Sequence, residues 1–232
     1  VWGMKKLLVT MFVALLMVGC ETAEVGGIDL DDPETRKRII AEAIDEDKLQ
    51  KRGKKGEELR YAPDQNTPYT GWSKRMHDNG QISWLFQYKD GKRDGPLTYW
   101  YSNKQKESEW TYKDGNWDGL KTSWYRNGQK KDEATYKDGN KDGLQMIWYP
   151  NGQKKEERTY KDGKMDGLST GWYSNGEKMG ELTWKDDKLM TAVAWKPNGE
   201  ECPHTNVVNG NGVVVGYRED GTERYRLTYK DG

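Results

Sequence analysis

Gly119–Asp142 reads G-L-K-T-S-W-Y-R-N-G-Q-K-K-D-E-A-T-Y-K-D-G-N-K-D, and the stretch recurs with a period of 24 residues. Gly71, Gly95, Gly119, Gly143 and Gly167 hold its first position. The same offset carries Trp100, Trp124, Trp148 and Trp172, each followed by a tyrosine (Tyr101, Tyr125, Tyr149, Tyr173). Asn79, Asn103, Asn127, Asn151 and Asn175 come next, and Tyr88, Tyr112, Tyr136 and Tyr160 then precede Lys-Asp-Gly. A fixed period in this range marks a repeat architecture in which each unit buries its apolar side only against its neighbours.

Two kinds of turn punctuate the repeat: x-Asn-Gly, as in Arg126-Asn127-Gly128, and Lys-Asp-Gly, as in Lys137-Asp138-Gly139. Both suit three-residue hairpin loops closed by a glycine in the left-handed conformation, so Gly128 and its equivalents are expected at positive φ. The segments between the turns have normal strand lengths. The expected fold is therefore all-β: an elongated antiparallel meander of 24-residue hairpins, preceded by a short N-terminal helix.

With three residues in both loops, Leu120, Thr122, Trp124, Lys130, Asp132, Ala134 and Tyr136 share one face, and Lys121, Ser123, Tyr125, Lys131, Glu133 and Thr135 the other. An even period carries this parity through every repeat. One face then collects the Leu, Trp and terminal Tyr columns with Phe86, Trp110 and Leu182, and Trp124 and Trp148 become the core. The face bearing Tyr125 and Tyr149 becomes the wet one. No second layer is evident in the pattern.

Outward from the repeats, residues 57–232 read as the repeat domain. Its entry at Tyr61–Trp72 is made irregular by Pro63 and Pro68. Its C-terminal units diverge from Asp187 onward, as units that cap a stack do. Residues 20–56 read as a tether and a helix over about 33–52. The helix is started by Asp31 or Asp32, Pro33 and Glu34, carries the narrow apolar stripe Ile40, Ala43 and Ile44, and ends near Gly53. Residues 1–19 read as a leader and signal peptide: Lys5-Lys6, the apolar run Leu7–Val18, then Gly19-Cys20. The run is too short for a stable membrane span. Met17-Val18-Gly19-Cys20 resembles a bacterial lipobox, which would make Cys20 the lipidated mature N-terminus. The expected location is the bacterial cell envelope, on the periplasmic or surface side.

The composition narrows the function classes. There are 38 basic and 38 acidic residues, interspersed, and a nucleic-acid footprint needs a clustered positive surplus. Eleven Trp and 14 Tyr against 2 Phe is the reverse of a disordered composition and suits a thin sheet with a wet surface. His77 stands in the slot of Tyr101 and Tyr125, which reads as a structural aromatic substitution. Cys202 and His204 supply two ligands where a zinc site needs three or four. Asp118, Asp142 and Asp166 recur in every turn, as residues required by turn geometry do, whereas a catalytic carboxylate pair occurs once. No enzyme activity, cofactor or metal is expected.

The motif W-Y-x-N-G-Q-K followed by Y-K-D-G-K-x-D-G resembles the bacterial MORN repeat variant, found in proteins labelled YwqK-type antitoxins. The resemblance covers roughly Tyr61–Gly232. It implies an elongated sheet of hairpins and a non-enzymatic role, and for MORN repeats more widely scaffolding, dimerisation or membrane association. Two functions follow as expectations. The first is a lipid-anchored protein-binding scaffold that uses Trp100, Trp124, Trp148, Trp172, Tyr101, Tyr125, Tyr149 and Tyr173 as contact residues, a toxin-sequestering antitoxin being a special case. The second is an envelope glycan-binding module in which the same rings stack on sugars.

Overall fold

The computed structural model describes residues 28–232, so the signal-peptide and Cys20 assignments lie outside the described residues. Strands Gly71–Met76, Ile82–Lys89, Lys92–Trp100, Lys106–Lys113, Gly119–Trp124, Lys130–Lys137, Asn140–Trp148, Lys154–Lys161, Lys164–Trp172, Lys178–Lys185 and Lys188–Ala194 lie side by side in chain order as an antiparallel meander. Ile44–Asp45, parallel to Gly71–Met76, and Asn116–Trp117, on Lys106–Lys113, complete a 13-stranded sheet.

The Asn-Gly loop has the expected three residues. Tyr125 N–H donates to Gln129 O and Gly128 N–H to Tyr125 O, and Gly128 sits at φ +85°. The Lys-Asp-Gly turn is shorter than expected. Lys137 pairs with Asn140, which leaves only Asp138 and Gly139 in the loop, at φ +48° and +86°. Positive φ at both positions is the type I′ turn, whose twist matches that of the flanking strands.

Register is where the expected faces fail. Lys130 pairs with Trp124, but Asp132 pairs with Ser123, so Lys131 is an extra residue forming a bulge. A single inserted residue moves everything after it to the opposite face. Asp132, Ala134 and Tyr136 therefore lie with Gly119, Lys121 and Ser123, while Leu120, Thr122 and Trp124 lie with Glu133 and Thr135. The bulge recurs in each hairpin between the Trp-side strand and its partner. Phe86, Trp110 and Leu182 belong to the aromatic face, not to the face of the Trp column.

On the aromatic face, rings run in sequence from Trp84 through Phe86, Tyr99, Trp110 and Trp117 to Tyr136, with centroids 4.2 to 6.0 Å apart. Edge-on and offset pairs at such spacing gain from quadrupole attraction beyond their buried area. Over the central repeats this face turns polar. Lys141 Nζ donates to Gln145 Oε1, and Gln145 Nε2 donates to Asp132 Oδ1, which joins the two strands.

Second layers cover both ends, a feature the periodicity did not reveal. The helix Pro33–Glu42 is capped by Asp32 Oδ2, which accepts from Thr35 N–H at 2.8 Å. It packs Ile39 and Ala43 against Leu85 and Trp100. The helix stops ten residues short of the expected end. After Ala43 the chain becomes extended, pairs Ile44–Asp45 with the edge strand and crosses to the aromatic face, where Gln50–Arg52 pairs with Leu59–Tyr61 and Leu49 joins Phe86 and Leu97 in the core. The edge strand's unpaired backbone groups, costly to leave bare, outweigh continued helix. At the other end the hairpin Gly212–Tyr217 with Glu223–Tyr229 lays Val214 over Leu182, Trp184 and Leu189. Where it overhangs the facing Gly171 and Gly180, a trough of about 490 Å³ remains, lined in part by Met165, Tyr217 and Tyr225.

Candidate functional site

Beyond the helix, the face carrying the Trp column has no second layer among the described residues over 119–166, where Leu120 and Leu144 stand half-exposed. Its structure builds from the strand pairs upward. Trp100 pairs with Lys106, Trp124 with Lys130, Trp148 with Lys154 and Trp172 with Lys178, at the bulge just described. Each ammonium reaches onward to the indole of the next repeat: Lys106 lies 5.4 Å from the Trp124 centroid, Lys130 5.7 Å from Trp148, Lys154 5.5 Å from Trp172 and Lys178 5.4 Å from Trp195. At this range a cation is drawn to the negative face of the ring. The same lysines pair with Glu109 at 2.5 Å, Glu133 at 2.5 Å, Glu157 at 2.9 Å and with Glu181. The result is a ladder of Trp, Lys and Glu repeated along the sheet.

Beside the ladder runs a row of leucines. Leu120, Leu144 and Leu168, expected in the core, are 51%, 43% and 50% exposed. They sit opposite Thr135, Thr159 and Thr183, whose short side chains cannot cover them.

The eight expected contact residues divide by role. Trp100 is buried under the helix, with the Arg36 guanidinium 5.9 Å from its ring. Trp124, Trp148 and Trp172 are half-buried in the ladder. The tyrosines form a spine along the Asn-Gly edge instead. Tyr101, Tyr125, Tyr149 and Tyr173 donate their hydroxyls to the carbonyls of Trp124, Trp148, Trp172 and Trp195 at 2.8 to 2.9 Å. His77 Nε2 donates to Trp100 O at 2.9 Å, doing with an imidazole what each tyrosine does with a phenol. Asn127, Asn151 and Asn175 donate side-chain amide hydrogen bonds to the carbonyls of Pro150, Ser174 and Pro197. Tyr125 and Tyr149 are thus fasteners between repeats rather than members of a tolerant wet face.

The opposite edge is fastened by aspartates. Asp94 and Asp142 accept from the backbone N–H of Asp114 and Asp162 in the following turn, which is a structural duty. Cys202 is buried with its Sγ 3.1 Å from Tyr217 Oη. Burial alone would push the thiol up, but hydrogen bonds from Tyr217 and from the backbone at His204 and Thr205 bring it below its usual value. No group of three His, Cys, Asp or Glu side chains gathers as a metal site among the described residues. No helix among the described residues is long and apolar enough to cross a membrane.

The sequence pattern places the leucines in the core and gives the lysines and glutamates of the ladder no role, although a signal for them is present. Lys-x-x-Glu recurs at 106–109, 130–133, 154–157 and 178–181 in phase with the Trp column. Four units of the chain, residues 93–114, 117–138, 141–162 and 165–186, match the MORN repeat variant family. The match is narrower than the Tyr61–Gly232 span of the sequence resemblance, and the strands before and after it continue the same sheet. No curated protein matches the chain.

Proposed function

We propose that these MORN-variant repeats serve as a non-enzymatic protein-binding scaffold, held at the cell envelope by a lipid on Cys20. MORN repeats are in general binding modules without catalytic activity, and four of them form the centre of this sheet. The observation that carries the reading is the row Leu120, Leu144 and Leu168, half-exposed beside indoles already engaged by lysines. A row of exposed leucines rimmed by charges and flanked by indoles suits a protein interface, with Trp as anchor and water excluded at the rim. Sugar stacking is favoured less, because the exposed ring faces already carry ammonium groups. A toxin-sequestering role is one form of the same reading. The lipid anchor rests on Leu7–Val18 and the Met17–Cys20 motif. Several acyl chains hold a protein to a bilayer durably where one does not.

The test is affinity capture from envelope extracts with the full-length protein and a Leu144→Asp, Leu168→Asp variant. Both positions are exposed, so the variant should fold. We expect a partner captured by the first and lost with the second; equal capture by both rejects the leucine face as the binding surface. Cys20→Ser should release the protein from the membrane fraction, and its continued sedimentation with membranes would rule out the anchor.

A further inference from the structure

The chain itself displays how one rung of the ladder takes an extended segment. Ile28–Asp31 crosses the Trp face just before the helix. Leu30 is 6% exposed in the cluster with Leu85 and Trp100. Asp31 Oδ2 lies 2.8 Å from Lys106 Nζ, and Ile28 and Leu120 line one cleft with Leu30 and Pro96. Lys106 thereby serves two carboxylates, Asp31 and Glu109. Burial opposes its charge, but these two hydrogen bonds outweigh burial and raise its pKa above the usual lysine value. Its side chain is 18% exposed, against 48% for Lys130 and 47% for both Lys154 and Lys178.

Adding 24 to each number gives the same constellation on the next rungs. Pro96, Trp100, Lys106 and Leu120 become Leu120, Trp124, Lys130 and Leu144, then Leu144, Trp148, Lys154 and Leu168. Lys130 and Lys154 each bond to one carboxylate, Glu133 and Glu157. An ammonium has three donors, so each can take a second carboxylate as Lys106 does. The apolar floor shifts in place: leucine replaces Pro96, while Glu109 and Glu133 stand where Leu85 does, so the apolar contact there comes from the leucines and the indole.

Resting on the protein-binding reading above, we infer that the rungs at Trp124–Lys130 and Trp148–Lys154 bind an extended segment of a partner protein with the pattern apolar, any, apolar, acidic, as Ile28-Asp29-Leu30-Asp31 has. One motif spans one rung interval: its three extended residue steps cover about 10 Å, and two strands at about 4.8 Å separate one rung from the next by about 9.6 Å. Backbone addition at the sheet edges is not the mode, since Ile44–Asp45 pairs with the first strand and Val207 bridges to Ala192 on the last.

The experiment uses the full-length protein and a fluorescent synthetic peptide carrying Ile-Asp-Leu-Asp twice, read by anisotropy. Saturable binding is expected, weakened at least tenfold by Asn in place of both C-terminal Asp residues of the motif, and at least tenfold by Lys130→Gln with Lys154→Gln. Both lysines are half-exposed, and unchanged circular dichroism confirms the fold of that variant. Binding indifferent to these changes, or none, overturns the inference. So does self-association abolished by Leu144→Asp without peptide binding, which would make a second copy the occupant. Binding of anionic vesicles by a protein that ignores the peptide would assign the face to lipid and overturn it too. Should the peptide fail while the leucine variant still loses its captured partner, the scaffold reading stands and the acidic motif falls.

Discussion

Tyr125 shows what one atom contributes to this fold. Its hydroxyl reaches 23 residues ahead to the carbonyl of Trp148, and because every repeat does the same, neighbouring hairpin ends are tied independently of the strand ladder. Tyr125→Phe keeps the ring and removes that bond. Urea denaturation should show a loss of about 1 kcal/mol, the usual net worth of a hydrogen bond, rising toward about 3 kcal/mol if the carbonyl is left dry. His77→Tyr should be neutral or stabilising in the same assay, since it restores the residue that the other repeats use at that place. A clear loss of stability in His77→Tyr would show that the imidazole does something a phenol cannot.

At the scale of elements, the helix and the ladder give the same tryptophan column two different jobs. Trp100 lies beneath Ile39 and Ala43 and is 2% exposed, whereas Trp148 has a lysine on its face and, among the described residues, no layer above. Deleting a fully buried large aromatic costs about 3–5 kcal/mol, because transfer energy is lost and a cavity remains. Trp100→Ala should therefore cost about that much. Trp148→Ala should cost about half as much, since the site keeps much of its contact with water. Equal losses in thermal or urea unfolding would mean that the ladder, not the helix, supplies the burial. The bulge at Lys131 belongs to this scale as well. By shifting parity it puts Ala134 and Tyr136, both buried, on the aromatic face and leaves Trp124 and Leu120 on the other.

For the whole molecule, stability depends on how the two ends are closed. At the C-terminal end burial pushes the Tyr173 hydroxyl up to about 12, and the hydrogen bond with Cys202 together with burial does the same for Tyr217. Both folded values lie above the unfolded tyrosine value of about 10. The fold therefore binds more protons than the unfolded chain between those limits. This contribution to stability is complete below about pH 10 and is lost as the pH rises toward 12. Near-ultraviolet circular dichroism should show tertiary signal falling in that window, and Tyr173→Phe should make the fall shallower. A flat response of the parent protein up to pH 12 would contradict the buried-phenol account.

The sequence by itself determined the 24-residue period, the turn sites, the glycine at positive φ in each Asn-Gly loop and the structural character of His77 and the Asp columns, and Asp32-Pro33 ahead of the repeats determined the helix cap. These are local or translational properties, and a period carries them without knowledge of packing. Which face is buried was decided only in three dimensions. Both faces carry aromatic columns, so hydrophobicity did not choose between them, and one bulged residue with a two-residue Asp-Gly turn was enough to reverse the parity. The candidate site was half legible for the same reason. Trp124, Trp148 and the Lys-x-x-Glu phase stand in the sequence, but the reach of Lys130 to the indole of the next repeat and the exposure of Leu144 arise from strand pairing between units. The second layers at either end come from non-repeating segments, whose place is set by the unpaired edge and apolar surface they cover.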